Sequence, residues 1–173
     1  MTLRTILGFS VLAASLTLSA AAQTGSMDAL QYYVGTWTCK GAPVGHGWAS
    51  TGTATYTLEK GVLHERFVIP PNQDTTKTYV LNVRVTYDAA HQRYVSASVD
   101  SDENWSVMYA VPWIGKMEHW VDHQTSSGKH GRTDVIRYND GMFATFAFPS
   151  TGKNVQADFR SFCHRQQPKG PAS

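Results

Sequence analysis

Long apolar runs, clustered basic residues and cysteines are all scarce in this 173-residue chain. Its longest apolar stretch, Ile6–Leu18, covers about a dozen residues, short of the roughly 20 that a membrane-spanning helix needs. Arg4 precedes it and Ala20-Ala21-Ala22 follows, the small residues that a signal peptidase reads. The sequence therefore predicts a signal peptide over residues 1–22, with cleavage before Gln23. An uncleaved anchor is the alternative, and the length of the run disfavours it. No cysteine lies near the cleavage site, so an acylated N-terminal Cys is excluded and no membrane anchor is expected after cleavage.

Lys and Arg number 15 against 13 Asp and Glu, and nowhere do three basic residues run together. That argues against nucleic acid or an anionic membrane surface as the principal partner. Gly-x-Ser-x-Gly, the phosphate loop, the dinucleotide fingerprint and His-Glu-x-x-His are all missing. The sequence assigns no catalytic residue and predicts no cofactor. Also missing are internal repeats, low-complexity segments and any helical periodicity after Val34.

The two cysteines, Cys39 and Cys163, both fall in the exported portion. In an oxidising compartment an even pair reads as one disulfide, with two buried free thiols as the alternative. The crosslink would join the first strand to the last across more than a hundred residues. Loop entropy assigns such a bond up to about 4.7 kcal/mol.

What the chain does carry is a series of strand signals. Removing the leader leaves roughly 150 residues, one ordinary domain, expected over residues 23–165 with a disordered tail at 166–173. Ser26 is a helix N-cap candidate, with Asp28 in the first turn, predicting a short helix over Asp28–Tyr33 before a first strand at Gly35. In Thr51–Leu58 the threonines alternate with Ala54, Tyr56 and Leu58, a half-buried strand with the threonines toward water. Val62–Ile69 places Leu63, Glu65, Phe67 and Ile69 on one face, and His64 and Arg66 on the other. Thr78–Tyr87 turns Tyr79, Leu81, Val83, Val85 and Tyr87 inward. Further strands are expected at Arg93–Val99, Trp105–Val111, Lys116–His123, Thr133–Tyr138, Met142–Phe148 and Val155–Cys163, with Asn139-Asp140-Gly141 as a hairpin turn. About ten strands in hairpin order predict an all-β fold. Closure into an up-and-down antiparallel barrel would remove exposed edges, and a two-sheet sandwich is the alternative.

Three segments carry a resemblance: Val34-Gly35-Thr36-Trp37-Thr38-Cys39, the run Thr86-Tyr87-Asp88-Ala89-Ala90-His91-Gln92-Arg93-Tyr94-Val95 continuing through Val99-Asp100-Ser101, and the terminal Phe162-Cys163-His164-Arg165. Together they are similar to a family of exported bacterial proteins of the lipocalin-like, or calycin, β-barrel type, over nearly the whole mature chain. The resemblance implies an exported, periplasmic or secreted barrel in which Gly35 and Trp37 form one closed end. It also implies the Cys39–Cys163 pair, and it supplies no substrate and no catalytic residue.

A barrel with inward aromatics suits a small hydrophobic or amphipathic ligand, although small barrels are often filled by their own side chains. The expected ligand-binding residues are Glu65, Tyr56, Phe67, Tyr79, Trp105, Tyr109 and His119. Glu65 stands out because a carboxylate on an inward face must be paired, protonated or used. His119 and His123 would lie about 13 Å apart along a strand, too far for one zinc ion, so no metal is expected. The rival from another class is a hydrolase or isomerase using a lumenal Glu/His pair. A third possibility is a solid structural barrel with no ligand. The sequence leaves the oligomeric state open.

Overall fold

The computed structural model describes residues 26–47, 50–72, 76–112, 115–152 and 155–167. The segment expected to be a signal peptide, the expected cleavage site, Trp48 and Trp113 lie outside them. Among the described residues no helix is long and apolar enough to cross a membrane.

Ten strands follow a short 3-10 helix at Met27–Tyr33: β1 (Gly35–Pro43), β2 (Ser50–Glu59), β3 (Val62–Ile69), β4 (Tyr79–Asp88), β5 (Arg93–Asp100), β6 (Trp105–Ala110), β7 (Met117–Thr125), β8 (Arg132–Asn139), β9 (Met142–Phe148) and β10 (Phe159–Arg165). Each pairs antiparallel with its chain neighbour, and β1 pairs β10, so the sheet closes into a barrel. Closure leaves every strand flanked on both sides, which a ten-stranded open sheet cannot do. The strand expectations hold to within a residue or two, except that β10 starts at Phe159, not Val155. The Val155 amide is held in a turn on the Gly152 carbonyl.

The helix and Trp37 shut one end. Ser26 Oγ accepts from the Asp28 amide at 3.2 Å, and the helix buries Leu30 and Tyr33. Trp37 is 0 % exposed, and its indole N–H donates to the Tyr33 carbonyl at 2.7 Å. Arg165 lies over that indole, its guanidinium carbon 4.2 Å from the ring centre. The same guanidinium donates to the carbonyls of Val34, Tyr32 and Asp140. Gly35 has φ +126°, and a Cβ there would meet Arg165 Nη1 at 3.1 Å, so only glycine suits the junction of helix and strand. The chain beyond Arg165 is also tied down at its start. The Gln166 amide donates to the Thr36 carbonyl at 2.8 Å, so the tail expected from residue 166 does not begin there.

Cys39 and Cys163 are bonded, facing each other across the β1–β10 seam that closes the barrel. The bond spans 124 residues of chain, so it ties the first strand to the last as the sequence predicts. The two shortest connections, 60–61 and 140–141, fall at the helix end, and the two longest, between β3 and β4 and between β9 and β10, belong to the opposite, open end.

Inner and outer faces follow the expected alternation in β2, β3 and β4: Ala54, Tyr56 and Leu63 are buried while Thr51, Thr53, Thr55 and Thr57 are exposed. In β6 the inner face is not the one that carries Trp105 and Tyr109, the residues expected to bind a ligand. Ser98 pairs Ser106 and Ser96 pairs Met108, which sends Ser106, Met108 and Ala110 inward. Trp105, Val107 and Tyr109 consequently lie on the outer face, with Trp105 45 % exposed.

Candidate functional site

The inside of the barrel is not filled. Six inner strand positions, Ser96, Ser98, Ser106, Thr133, Thr145 and Val83, are small, and opposite them the sheet leaves a cavity of about 360 Å³. Leu63, Leu81, Val85, Met108, Trp120 and Phe143 give it apolar walls, and Leu30 and Tyr33 of the helix close its base. An apolar cavity of about 150 Å³ holds one benzene, so this one has room for a body of about two rings. Leu81 also borders a wider basin of about 940 Å³ at the open end, lined by Phe67, Ile69, Tyr79, Lys77 and Phe159. Glycines make room for the basin's aromatics: a Cβ on Gly52 would stand 2.5 Å from the Phe67 ring, and one on Gly41 2.7 Å from that of Phe159.

Two carboxyl groups face the cavity, Glu65 from β3 and Glu118 from β7. Glu65 lies opposite Tyr56 in the β2–β3 ladder and accepts a hydrogen bond from its phenol. Glu65 is half-buried in the wall of the cavity. Burial pushes its carboxyl up to about 7, against the opposing hydrogen bond from Tyr56. Glu118 is enclosed by donors: Tyr33 O–H at 3.2 Å and Arg137 Nη2 at 3.4 Å on Oε1, and Trp120 Nε1–H at 2.8 Å on Oε2. Burial raises this carboxyl to about 7 as well, against the pull of Trp120, Arg137 and Tyr33. The Tyr33 and Tyr56 rings, 5.6 Å apart, link the two carboxyls into one buried polar cluster. Burial, and after it the carboxylate beside each, raises both phenols well above their ordinary range, so both remain protonated donors.

Of the expected ligand-binding residues, Glu65 and Tyr56 line the inner cavity, and Phe67 and Tyr79 line the basin at its mouth. The other three lie on the outer face. Trp105 and Tyr109 share the outer side of β6, with Tyr109 stacked on His123 at 4.5 Å and under Arg93 at 3.8 Å. His119 points outward because its neighbours Glu118 and Trp120 point in. Its Nδ1 lies 2.7 Å from Asp134 Oδ1 across the β7–β8 ladder. His64 sits between Thr57 and Arg84 on the outer face of β3. None of His64, His119 and His123 therefore shares the cavity with Glu65.

Sequence reasoning missed Glu118, Tyr33, Trp120 and the three serines. Glu118 could have been found from the alternation Glu118-Trp120 against His119-Val121, but both faces offer one charged or polar and one apolar residue. Among the described residues no group of three or more His, Cys, Asp or Glu is arranged to hold a metal ion. No protein-family model and no curated protein matches this chain.

Proposed function

We propose that this chain is an exported, lipocalin-like barrel that binds a small, partly apolar molecule non-covalently in its interior. The observation that carries this reading is the cavity of about 360 Å³, whose mostly apolar wall is interrupted by one incompletely partnered carboxyl, Glu65. Cavities of about 300–1,000 Å³ with few polar groups are what small-molecule sites look like. The closed helix end and the open, basin-lined end support binding through one mouth. The Cys39–Cys163 bond supports residence in an oxidising compartment, as does the expected signal peptide. The resemblance to exported lipocalin-like proteins points the same way.

The enzymatic alternative has less support. A carboxyl near neutrality suits general acid–base work, but Glu118, the other lumenal carboxyl, has both oxygens engaged by protein donors. The test is native mass spectrometry of protein purified from its natural source. A small molecule released on collisional activation supports the reading. Protein that carries none, and that also takes up no small amphipathic probe from a panel, contradicts it.

A further inference from the structure

The two lumenal carboxyls are differently provided for. Glu118 has a hydrogen-bond donor on each oxygen and the Arg137 guanidinium beside it. Glu65 has the Tyr56 phenol, and among the described residues no Lys, Arg or His forms an ion pair with it. An ionised carboxylate offers about four acceptor sites, so most of those on Glu65 stay open toward the cavity. A carboxylate in such surroundings is costly to ionise without a counter-charge, and a cation brought into the cavity would remove that cost. The ionisable groups around it are Tyr56 on β2, Tyr33 on the helix, Glu118 on β7 and Arg137 on β8. Arg137 is already spent on Glu118 and on the Ala29 carbonyl at 2.7 Å. The inner positions of the adjoining β4, Leu81, Val83 and Val85, bring no charge.

One inner row carries the rest of the recognition surface. Tyr56, Glu65, Val83, Ser98 and Ser106 are successive register partners across β2 to β6. Ser98 therefore lies two strands from Glu65, about 10 Å along the sheet, and Ser106, whose hydroxyl is bonded to that of Ser98 at 2.8 Å, lies one strand further. Between Glu65 and Ser98 the wall is apolar.

We propose that the cavity selects a protonated amine of low molecular weight, with its ammonium on the Glu65 carboxylate beside Tyr56 and an apolar body of up to two rings against Val83, Met108 and Trp120. This rests on the reading that the cavity binds a ligand, and narrows that reading to one charge class.

The test is calorimetric titration of the full mature protein with three probes sharing an indole body: tryptamine, its neutral alcohol counterpart tryptophol, and the anionic indole-3-acetate. At about pH 8 tryptamine should bind at least about tenfold more tightly than tryptophol, and indole-3-acetate should bind most weakly. Glu65→Gln should erase the preference for the amine. Because the ammonium must displace the carboxyl proton, acidification below about pH 7 should weaken tryptamine binding by up to about tenfold per pH unit while sparing tryptophol. Should Glu65→Gln fail to fold, this pH series on the wild-type protein decides alone. Tryptophol binding as tightly as tryptamine, or a preference that survives in Glu65→Gln, would overturn the amine assignment and leave the cavity as a binding site. Failure of all three probes to bind would overturn the amine assignment, and joined to protein that carries no small molecule from its natural source it would overturn both.

Discussion

At the scale of single residues, the two carboxyls predict opposite outcomes. Glu118 accepts from Tyr33, Trp120 and Arg137, so Glu118→Leu takes an acceptor from each of three donors in the barrel interior. Breaking a buried charge pair costs about 3–5 kcal/mol, and urea unfolding should show a loss of about that size. Glu65→Gln removes a carboxyl that has one phenol and, among the described residues, no cationic partner. Above pH 7 it should therefore leave stability unchanged or raise it, while impairing binding. A Glu65→Gln protein as unstable as Glu118→Leu would show that Glu65 belongs to the scaffold. Trp37 is the other residue on which the closed end depends. It is fully buried, bonded to Tyr33 and covered by Arg165, so Trp37→Ala should lose about 3–5 kcal/mol by the same assay.

At the scale of elements, the seam between β1 and β10 is where the barrel closes and where the disulfide sits. Replacing both cysteines by serine should lower stability by about 2–4 kcal/mol, with a ceiling near 4.7, while the native far-UV spectrum is retained. The reason is that the β1–β10 ladder itself holds the closure, and the bond acts mainly on the unfolded chain. A spectrum that collapses without the bond would show that the ladder cannot close the barrel by itself. The elements are also where the sequence was most and least legible. In β2 the threonines leave no doubt which face is wet, and in β3 the Leu63-Phe67-Ile69 stripe placed Glu65 inside. The turn at Asn139-Asp140-Gly141 announced its hairpin. In β6 the largest side chains, Trp105 and Tyr109, face outward, and the small Ser106 faces in. Hydrophobic alternation assumes that the inner face must be filled with bulk, and beside a cavity it need not be. The same circumstance hid Ser96 and Ser98, whose small size leaves the cavity its volume. Glu118 was hidden because its neighbours on both faces of β7 mix polar and apolar groups equally. The pairing register, which depends on contacts far apart in sequence, resolves all of these.

At the scale of the whole molecule, a barrel that encloses two carboxyls at about 7 should carry a characteristic pH dependence. Both groups bind protons more tightly folded than unfolded, where the ordinary value is 4.5. Their contribution is therefore fully present below about pH 4.5, declines as pH rises through about 7, and is lost above it. The urea midpoint should fall from pH 5 to pH 8, and a midpoint that rises over that interval would contradict the burial of these groups. The hollow interior is the claim that everything functional depends on, and its two faces can be told apart by nuclear magnetic resonance. Met108 and Trp120 line the cavity, whereas Trp105 lies on the outer surface. Titration with tryptamine is predicted to shift the Met108 and Trp120 signals together, saturably, and to leave Trp105 in place. Shifts at Trp105 with Met108 and Trp120 unmoved would contradict it.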